Sequence, residues 1–470
     1  MFSSTTSSFT LLLLASFFLS SCSEPPNALE RVINRGQLIV LTQVEPVPST
    51  KGKPAADEFE YELINRFSKK IGVSVRFLPT KSFLHILQIT PEHEADFSAA
   101  SLTVTQERQK FLMFTPPYYE VHQQLIYHYR TRRPKNIAQL NSGFFEVIKG
   151  SSHAENLRLL KPLNPSLSWQ ESETANVLEL LSLVNEGVLD YTIADSNQFE
   201  GVRGQFPELN IAFDISSPES IAWAFPKSND TSLYDEAVKF IEEIKQDGTL
   251  EQLKDKHFGY SKSLNYVSLC TFRQHLKHRL PALKPFFKLA AKKYQIDWML
   301  LAAVAYQESH WSAQAVSPTG VKGIMMLTKS TARQMGVSNR LDPQQSIDGG
   351  GHYLRTRIDK IPTRILEPDK IWMALASYNI GFGHLEDARI LTQLQGADPD
   401  KWLDVKKRLP LLTKEAWYKK TRHGYARGHE AVTYVRNIRQ YYQLLLQLLA
   451  HQPNLDGSIE DTFKLNLPAL

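Results

Sequence analysis

A single carboxylic acid stands where a helix would hold it partly out of water. The run Asp297-Trp-Met-Leu-Leu-Ala-Ala-Val-Ala-Tyr-Gln-Glu308 opens on a residue suited to cap a helix, then offers good helix formers without Gly or Pro. Leu300, Leu301, Val304 and Ala305 share one apolar stripe at helical spacing. Glu308, four residues past Val304 and seven past Leu301, continues it to the helix's C-terminal end. Partial desolvation and the negative end of the helix dipole both favour the protonated form there. A carboxyl kept protonated near neutral pH can act as a general acid. The plainer alternative is a surface glutamate at a fraying helix end, paired with Lys322 or with solvent. Beyond it, the turn-rich Ser317-Pro-Thr-Gly320 leads to Gly323-Ile-Met-Met, where glycine permits close backbone approach.

Glu308-Ser309 followed by Gly323-Ile-Met-Met resembles the Glu-Ser, then Gly-Leu-Met-Gln, pattern of the soluble lytic transglycosylase family, which has a goose-type lysozyme fold. Ala374-Leu-Ala-Ser-Tyr378-Asn379-Ile-Gly381 is similar to that family's Ala-Tyr-Asn-x-Gly motif. Gly424-Tyr-Ala-Arg-Gly-His-Glu430-Ala-Val-Thr-Tyr434-Val resembles its closing Tyr-Val motif. The resemblance implies that Glu308 is the catalytic acid and that Ser309, Ser317, Tyr378, Asn379 and Tyr434 meet the substrate. Ser317 would contact the sugar N-acetyl group or the reacting hydroxyl, and Tyr434 would lie close to the glutamate. One departure is Met325-Met326, where many members carry Met-Gln and so an amide.

Most glycosidases flank the bond with two carboxylates, and no second acid sits within these motifs. The family needs one. Its acid protonates the β-1,4 oxygen between N-acetylmuramic acid and N-acetylglucosamine, then takes a proton from the C6 hydroxyl of the same muramic acid as a 1,6-anhydro ring closes. Water is not consumed. No metal-binding or phosphate-cradling motif is evident, so no cofactor is expected.

The elements that must position this chemistry fill the second half of the chain. From Pro281 to about 450 the pattern is helical, with turn signals near Gly336, Gly349-Gly-Gly351, Pro362 and Gly381, which suits a mainly α lysozyme-like domain. Residues 261–280 read as a polar linker and 451–470 as a tail.

Residues 37–260 read differently. Leu38-Ile-Val-Leu41, Val73–Leu78 and Ala95–Ala99 read as strands, with a helix over Phe59–Ile71, a rhythm of α/β units around a mostly parallel sheet. Ser101-Leu-Thr-Val-Thr105-Gln-Glu-Arg108, Phe114-Thr-Pro-Pro-Tyr118-Tyr119 and Leu189-Asp-Tyr-Thr-Ile-Ala-Asp195 resemble the family 3 periplasmic solute-binding proteins. This implies two lobes closing on a small ligand. Arg108 would grip a carboxylate, Asp195 an amino group, and Ser101, Thr103 and Ser151 would add hydroxyls. The first-strand loop Val44-Glu-Pro-Val-Pro lacks the aromatic that commonly covers such a ligand. The cleft therefore admits something other than a free amino acid, and the ligand expected is an amino acid or a muropeptide.

Phe9–Leu19 is an apolar run too short to span a bilayer but suited to a signal peptide, and Leu19-Ser-Ser-Cys22 resembles the lipobox of bacterial lipoproteins. That implies cleavage after residue 21, lipid on Cys22, and residues 22–36 as a tether. Without Asp after Cys22, the periplasm-facing outer membrane is the expected address. Cys270 is then alone, and no intramolecular disulfide forms. The net charge of +5 is uneven: residues 401–439 hold eleven Lys/Arg against three Asp/Glu. Either this is a solvated helix face or it draws an anionic polymer. Nothing resembles a nucleic-acid binder, so peptidoglycan glycan strands with their peptide carboxylates are the expected partner.

The layout of lipobox, solute-binding domain and lytic domain resembles the membrane-bound lytic murein transglycosylase F type. A lipid-anchored receptor whose rear domain merely holds glycan, and a lysozyme-like hydrolase, are the competing readings.

Overall fold

The computed structural model describes residues 25–43, 55–80, 83–89, 94–140, 143–259 and 266–450. Cys22, the Val44-Glu-Pro-Val-Pro loop and the tail after 450 lie outside them.

The front half forms two lobes. The first is built on a five-stranded sheet in the order β2 (Ser74–Pro79), β1 (Gln37–Thr42), β3 (Phe97–Ser98), β12 (Ala224–Pro226), β4 (Leu112–Phe114). The core of β1, Leu38-Ile-Val-Leu41, is apolar because both faces of the strand are covered, and Leu38, Val40 and Leu41 are fully buried. The second lobe holds β10 (Leu209–Asp214), β6 (Gln123–His128) and β9 (Tyr191–Asp195), with β7 (Glu146–Ile148) beside β8 (Gln170–Ser172). Two antiparallel strands, β5 (Tyr119–Val121) and β11 (Glu219–Ile221), carry the chain between lobes. The expectation of a mostly parallel sheet is corrected here. Parallel pairing joins β1 to β2 and to β3, and β7 to β8, but β12 runs against β3 and β4, and the β10-β6-β9 sheet of the second lobe is antiparallel throughout. A chain that leaves one lobe and returns brings its last strand back in the opposite direction.

The rear half is helical. The helix Trp298–Ser309 is capped by Asp297, whose carboxylate accepts from the Met299 amide. Every residue from Met299 to Tyr306 is buried, so the helix is the hub of the domain rather than a one-striped surface helix. Helices Leu280–Tyr294 and Gly428–Ala450 pack against it.

Two further expectations change. The stretch read as a linker contains the helix Tyr266–His278, whose Leu269 and Phe272, three residues apart, enter the lytic core. The glycines at 349–351 do not mark a turn. They lie inside the helix Pro343–Lys360, where a Cβ on Gly350 would sit 2.5 Å from Met325 Cγ. These glycines are there for close packing.

The two halves touch through the last helix. Asp255, on the first lobe's helix Thr249–Phe258, accepts from Lys406 and from Arg439, and Arg439 also bonds the Asp255 and Lys256 carbonyls. Burial opposes the charge of Asp255, but Arg439 and Lys406 hold its carboxyl below the usual range. Gln447, farther along, donates to the Gly201 carbonyl of the second lobe. Two cations of the basic run are thus spent on a domain junction rather than on a polymer.

Candidate active site and front cleft

The hub helix ends at Ser309, and His310 takes a left-handed conformation (φ 51°) that turns the chain away. This leaves Glu308 at the helix end beneath the helices Asp369–Ile380 and Gly428–Ala450. Tyr434 donates from its hydroxyl to Glu308 Oε1 at 2.6 Å. Burial pushes the Glu308 carboxyl up to about 7, against the opposing pull of that hydrogen bond. Among the described residues no second carboxylate contributes, and Glu308 makes no ion pair with Lys322. The plain surface reading of this residue therefore loses its support.

Tyr378 lies beside Tyr434 with nearly parallel rings, 6.3 Å between centroids. Its hydroxyl donates to the Met325 carbonyl at 3.3 Å, which ties the Asp369–Ile380 helix to the Gly323-Ile-Met-Met loop. Burial, and then the nearby Glu308 charge, hold both tyrosines well above their ordinary range, so both stay hydrogen donors. The loop itself depends on Gly323. Its φ is +84°, and a Cβ there would come within 1.8 Å of the Arg340 carbonyl oxygen.

The other expected residues divide. Ser309 donates to the Ile324 carbonyl at 2.8 Å and accepts from the Ser312 amide, so it fastens the loop to the helix. Ser317 is engaged with Thr319 and with the Val321 amide, holding its own turn. Asn379 is exposed at the end of its helix, and no described residue bonds its side chain. Met326, in place of the family's glutamine, sits at φ 46°. Sequence reading missed Tyr353, which meets Tyr378 edge-on at 5.0 Å. The glycine run just before it was the available signal, since it marks where that helix approaches the loop.

In the front half, the five expected residues gather around one cleft. Ser101, Thr103, Ser151 and Asp195 line a cavity of about 20 Å³, room for a water molecule rather than an amino acid. Arg108 adjoins it and is fully buried. Each already has a partner. Arg108 Nε donates to Glu155 at 2.9 Å, and its terminal nitrogens bond the Thr103 and Gly150 carbonyls. Burial lowers the Arg108 pKa, against the pull of Glu155, Asp195 and Glu219. Asp195 faces His153 Nε2 at 3.0 Å. The Ser101 hydroxyl goes to Glu60, Ser151 caps a helix, and the Thr103 hydroxyl meets that of Ser152 at 3.2 Å across the lobes. Sequence reading did not single out Glu155 and His153, which occupy Arg108 and Asp195 respectively. His153 Nδ1 and Gln198 Oε1 are buried without partners.

Comparison with known proteins agrees with both halves. Residues 42–260 match the bacterial extracellular solute-binding proteins of family 3, and residues 285–398 match the transglycosylase SLT domain. A solved ancestral arginine-binding protein bound to arginine aligns with 48% of this chain and 99% of its own, at 25% identity and a TM-score of 0.42. A membrane-bound lytic murein transglycosylase F 1 of Alkalilimnicola ehrlichii is 46% identical over 90% of this chain and 86% of its own length. A membrane-bound lytic murein transglycosylase F of Pseudomonas fluorescens is 42% identical over 96% of this chain and 93% of its own. With such relatives matched along nearly their whole length, the chain belongs to the membrane-bound lytic murein transglycosylase F family.

Proposed function

We propose that the protein cleaves the β-1,4 bond between N-acetylmuramic acid and N-acetylglucosamine of peptidoglycan without water, leaving 1,6-anhydro ends. The observation that carries this is Glu308, an acid poised at about 7 by burial, whose side chain is hydrogen-bonded among the described residues by a tyrosine hydroxyl alone. Protonated, it gives its proton to the glycosidic oxygen as the C1–O bond breaks, with the sugar's own acetamido group supporting the positive charge. Now a carboxylate held by Tyr434, it takes the C6 hydroxyl proton as that oxygen bonds C1. General acid–base steps of this kind contribute roughly 10²–10⁴-fold, the remainder coming from positioning. The test is to digest purified sacculi with the chain lacking residues 1–22 and weigh the products. Muropeptides lighter than hydrolytic ones by one water, about 18 Da, are expected. Reducing ends throughout would leave a lysozyme-like hydrolase instead.

The enzyme is held by lipid on Cys22 at the periplasmic face of the outer membrane. Relatives named membrane-bound support membrane association, and no helix among the described residues is long and apolar enough to cross one. The front cleft takes an amino acid or a peptidoglycan peptide with a free carboxylate, once Glu155 and His153 give up Arg108 and Asp195. Such a ligand would regulate the lytic cleft through the last helix, which carries Tyr434 and the domain junction together.

A further inference from the structure

Arg357, near the active site, meets no anion among the described residues. Arg357 lies one turn beyond Tyr353 on the helix Pro343–Lys360 and is only 8% exposed. Its guanidinium stacks on the Tyr353 ring at 4.5 Å, and Tyr353 in turn abuts Tyr378. Arg355 on the same helix pairs with Asp359, whereas Arg357 forms no ion pair or hydrogen bond with any described residue. Its Nε is buried and unpartnered. Three residues on, Lys360 lies over the Phe382 ring, at the corner where Tyr378 and Asn379 are delivered. A buried charge left without a counter-charge is costly, and folds retain one where a partner arrives from outside. Stacking on tyrosine fixes the planar fork while leaving its donors free.

The glycan backbone is neutral except on muramic acid, whose lactyl arm bears either a free carboxylate or a stem peptide with carboxylates. That sugar is also the one whose C1 and C6 react. Resting on the transglycosylase reading above, we propose that Arg357 is a substrate-binding residue that receives a carboxylate borne by the muramic acid arm. This contact sets muramic acid, rather than glucosamine, in the subsite beside Glu308.

The experiment uses soluble uncrosslinked strands in three forms: with stem peptides, stripped of them by an amidase to leave lactyl carboxylates, and peptide-bearing with all carboxylates capped as amides. On the first, Arg357→Gln should raise KM about tenfold while kcat stays within about twofold, with Arg357→Lys in between. Capping should bring the wild type to the level of Arg357→Gln. A difference that survives on stripped strands shows that the site also takes the free lactyl carboxylate, and one that vanishes there confines the contact to a carboxylate of the stem peptide. Equal KM for wild type and Arg357→Gln, or a difference untouched by capping, overturns the proposal. So does a wild-type KM that ignores both capping and salt, a result that needs no variant to fold. Hydrolytic products from the wild type would sink the transglycosylase reading instead, and that outcome is read from product mass rather than from KM.

Discussion

Replacing Glu308 by glutamine separates chemistry from stability in a way the structure makes quantitative. The side chain keeps its size and can still accept from Tyr434, but it no longer titrates. In the native chain burial raises the carboxyl from 4.5 to about 7. Because the folded value lies above the unfolded one, the folded protein binds an extra proton between those two pH values. Native stability is therefore highest relative to the Gln variant below pH 4.5, and it declines as pH rises through the window. At about 1.4 kcal/mol per pH unit, the full difference reaches up to about 3 kcal/mol above pH 7. Paired denaturant titrations of the full chain and of Glu308→Gln at pH 4.5, 6 and 8 would measure it. The variant should gain on the wild type with pH while its lytic activity falls by several orders of magnitude. Wild-type activity should itself decline above pH 7 as the acid ionises. A stability difference flat in pH would refute the buried-acid reasoning. A folded Gln variant that still cleaves at a tenth of the native rate would refute the general-acid assignment.

Tyr434→Phe removes the one hydrogen bond that lowers the Glu308 pKa, so the alkaline limb of the pH–rate profile should move upward while the maximal rate drops about 10- to 100-fold. An unmoved limb would show that Tyr434 does not act through the acid. Cys22→Ala should shift the protein from the membrane fraction to the soluble or precursor pool, because acyl chains supply the membrane affinity. A mature chain that still needs detergent would reveal another anchor. If the front cleft regulates the rear, glycan bound to Glu308→Gln should change the affinity of the full chain for a stem tripeptide by the same factor that tripeptide changes glycan affinity, a tenfold effect being about 1.4 kcal/mol of coupling. Calorimetry that shows independent binding, or tripeptide binding unchanged by Arg108→Ala, would reduce the front domain to a spacer.

What the sequence disclosed follows from how local each signal is. The hub helix was legible because its cap, its apolar run and its terminal acid lie within twelve consecutive residues. Tyr378 and Tyr434 were legible only through motif resemblance, since nothing local says that residues 56 apart stack their rings. Ser309 and Ser317 show the weakness of that route: their hydroxyls hold the loop and its turn, a role that motif position does not reveal. Glycine misled at 349–351, where the absence of a side chain serves packing against Met325 rather than a turn. Burial was hidden too. One apolar stripe suggested a helix with one wet side, but the preceding helix Leu280–Tyr294 and the sequence-distant helix Gly428–Ala450 close around it. Arg108 and Asp195 come together at one cleft, yet Glu155 reaches Arg108 from the other lobe and His153 meets Asp195 from a neighbouring helix of the same lobe, and neither pairing leaves a trace in spacing. The basic run had the same ambiguity, because only the fold shows that Lys406 and Arg439 face Asp255.

The last helix joins these separate facts into one mechanical element. Tyr434 and Arg439 are five residues apart, about 7.5 Å along its axis, and Gln447 lies about 12 Å farther on. One rigid rod therefore touches the acid, the first lobe and the second lobe in turn. The lobes are connected by β5 and β11, so any change in the cleft between them would move Asp255 and Gly201 relative to each other. Both grips on the helix cannot survive that motion unstrained. The grip on Asp255 is a buried carboxylate with two cations and two further carbonyl contacts. The grip on Gly201 is neutral, an amide–carbonyl bond from Gln447, packed tightly because Gly204 has no side chain to hold off Leu444 and Gln447. Breaking a buried ion pair costs about 3–5 kcal/mol, a neutral hydrogen bond about 1. The second lobe should therefore release first, leaving the helix fixed to the first lobe and Tyr434 still on Glu308.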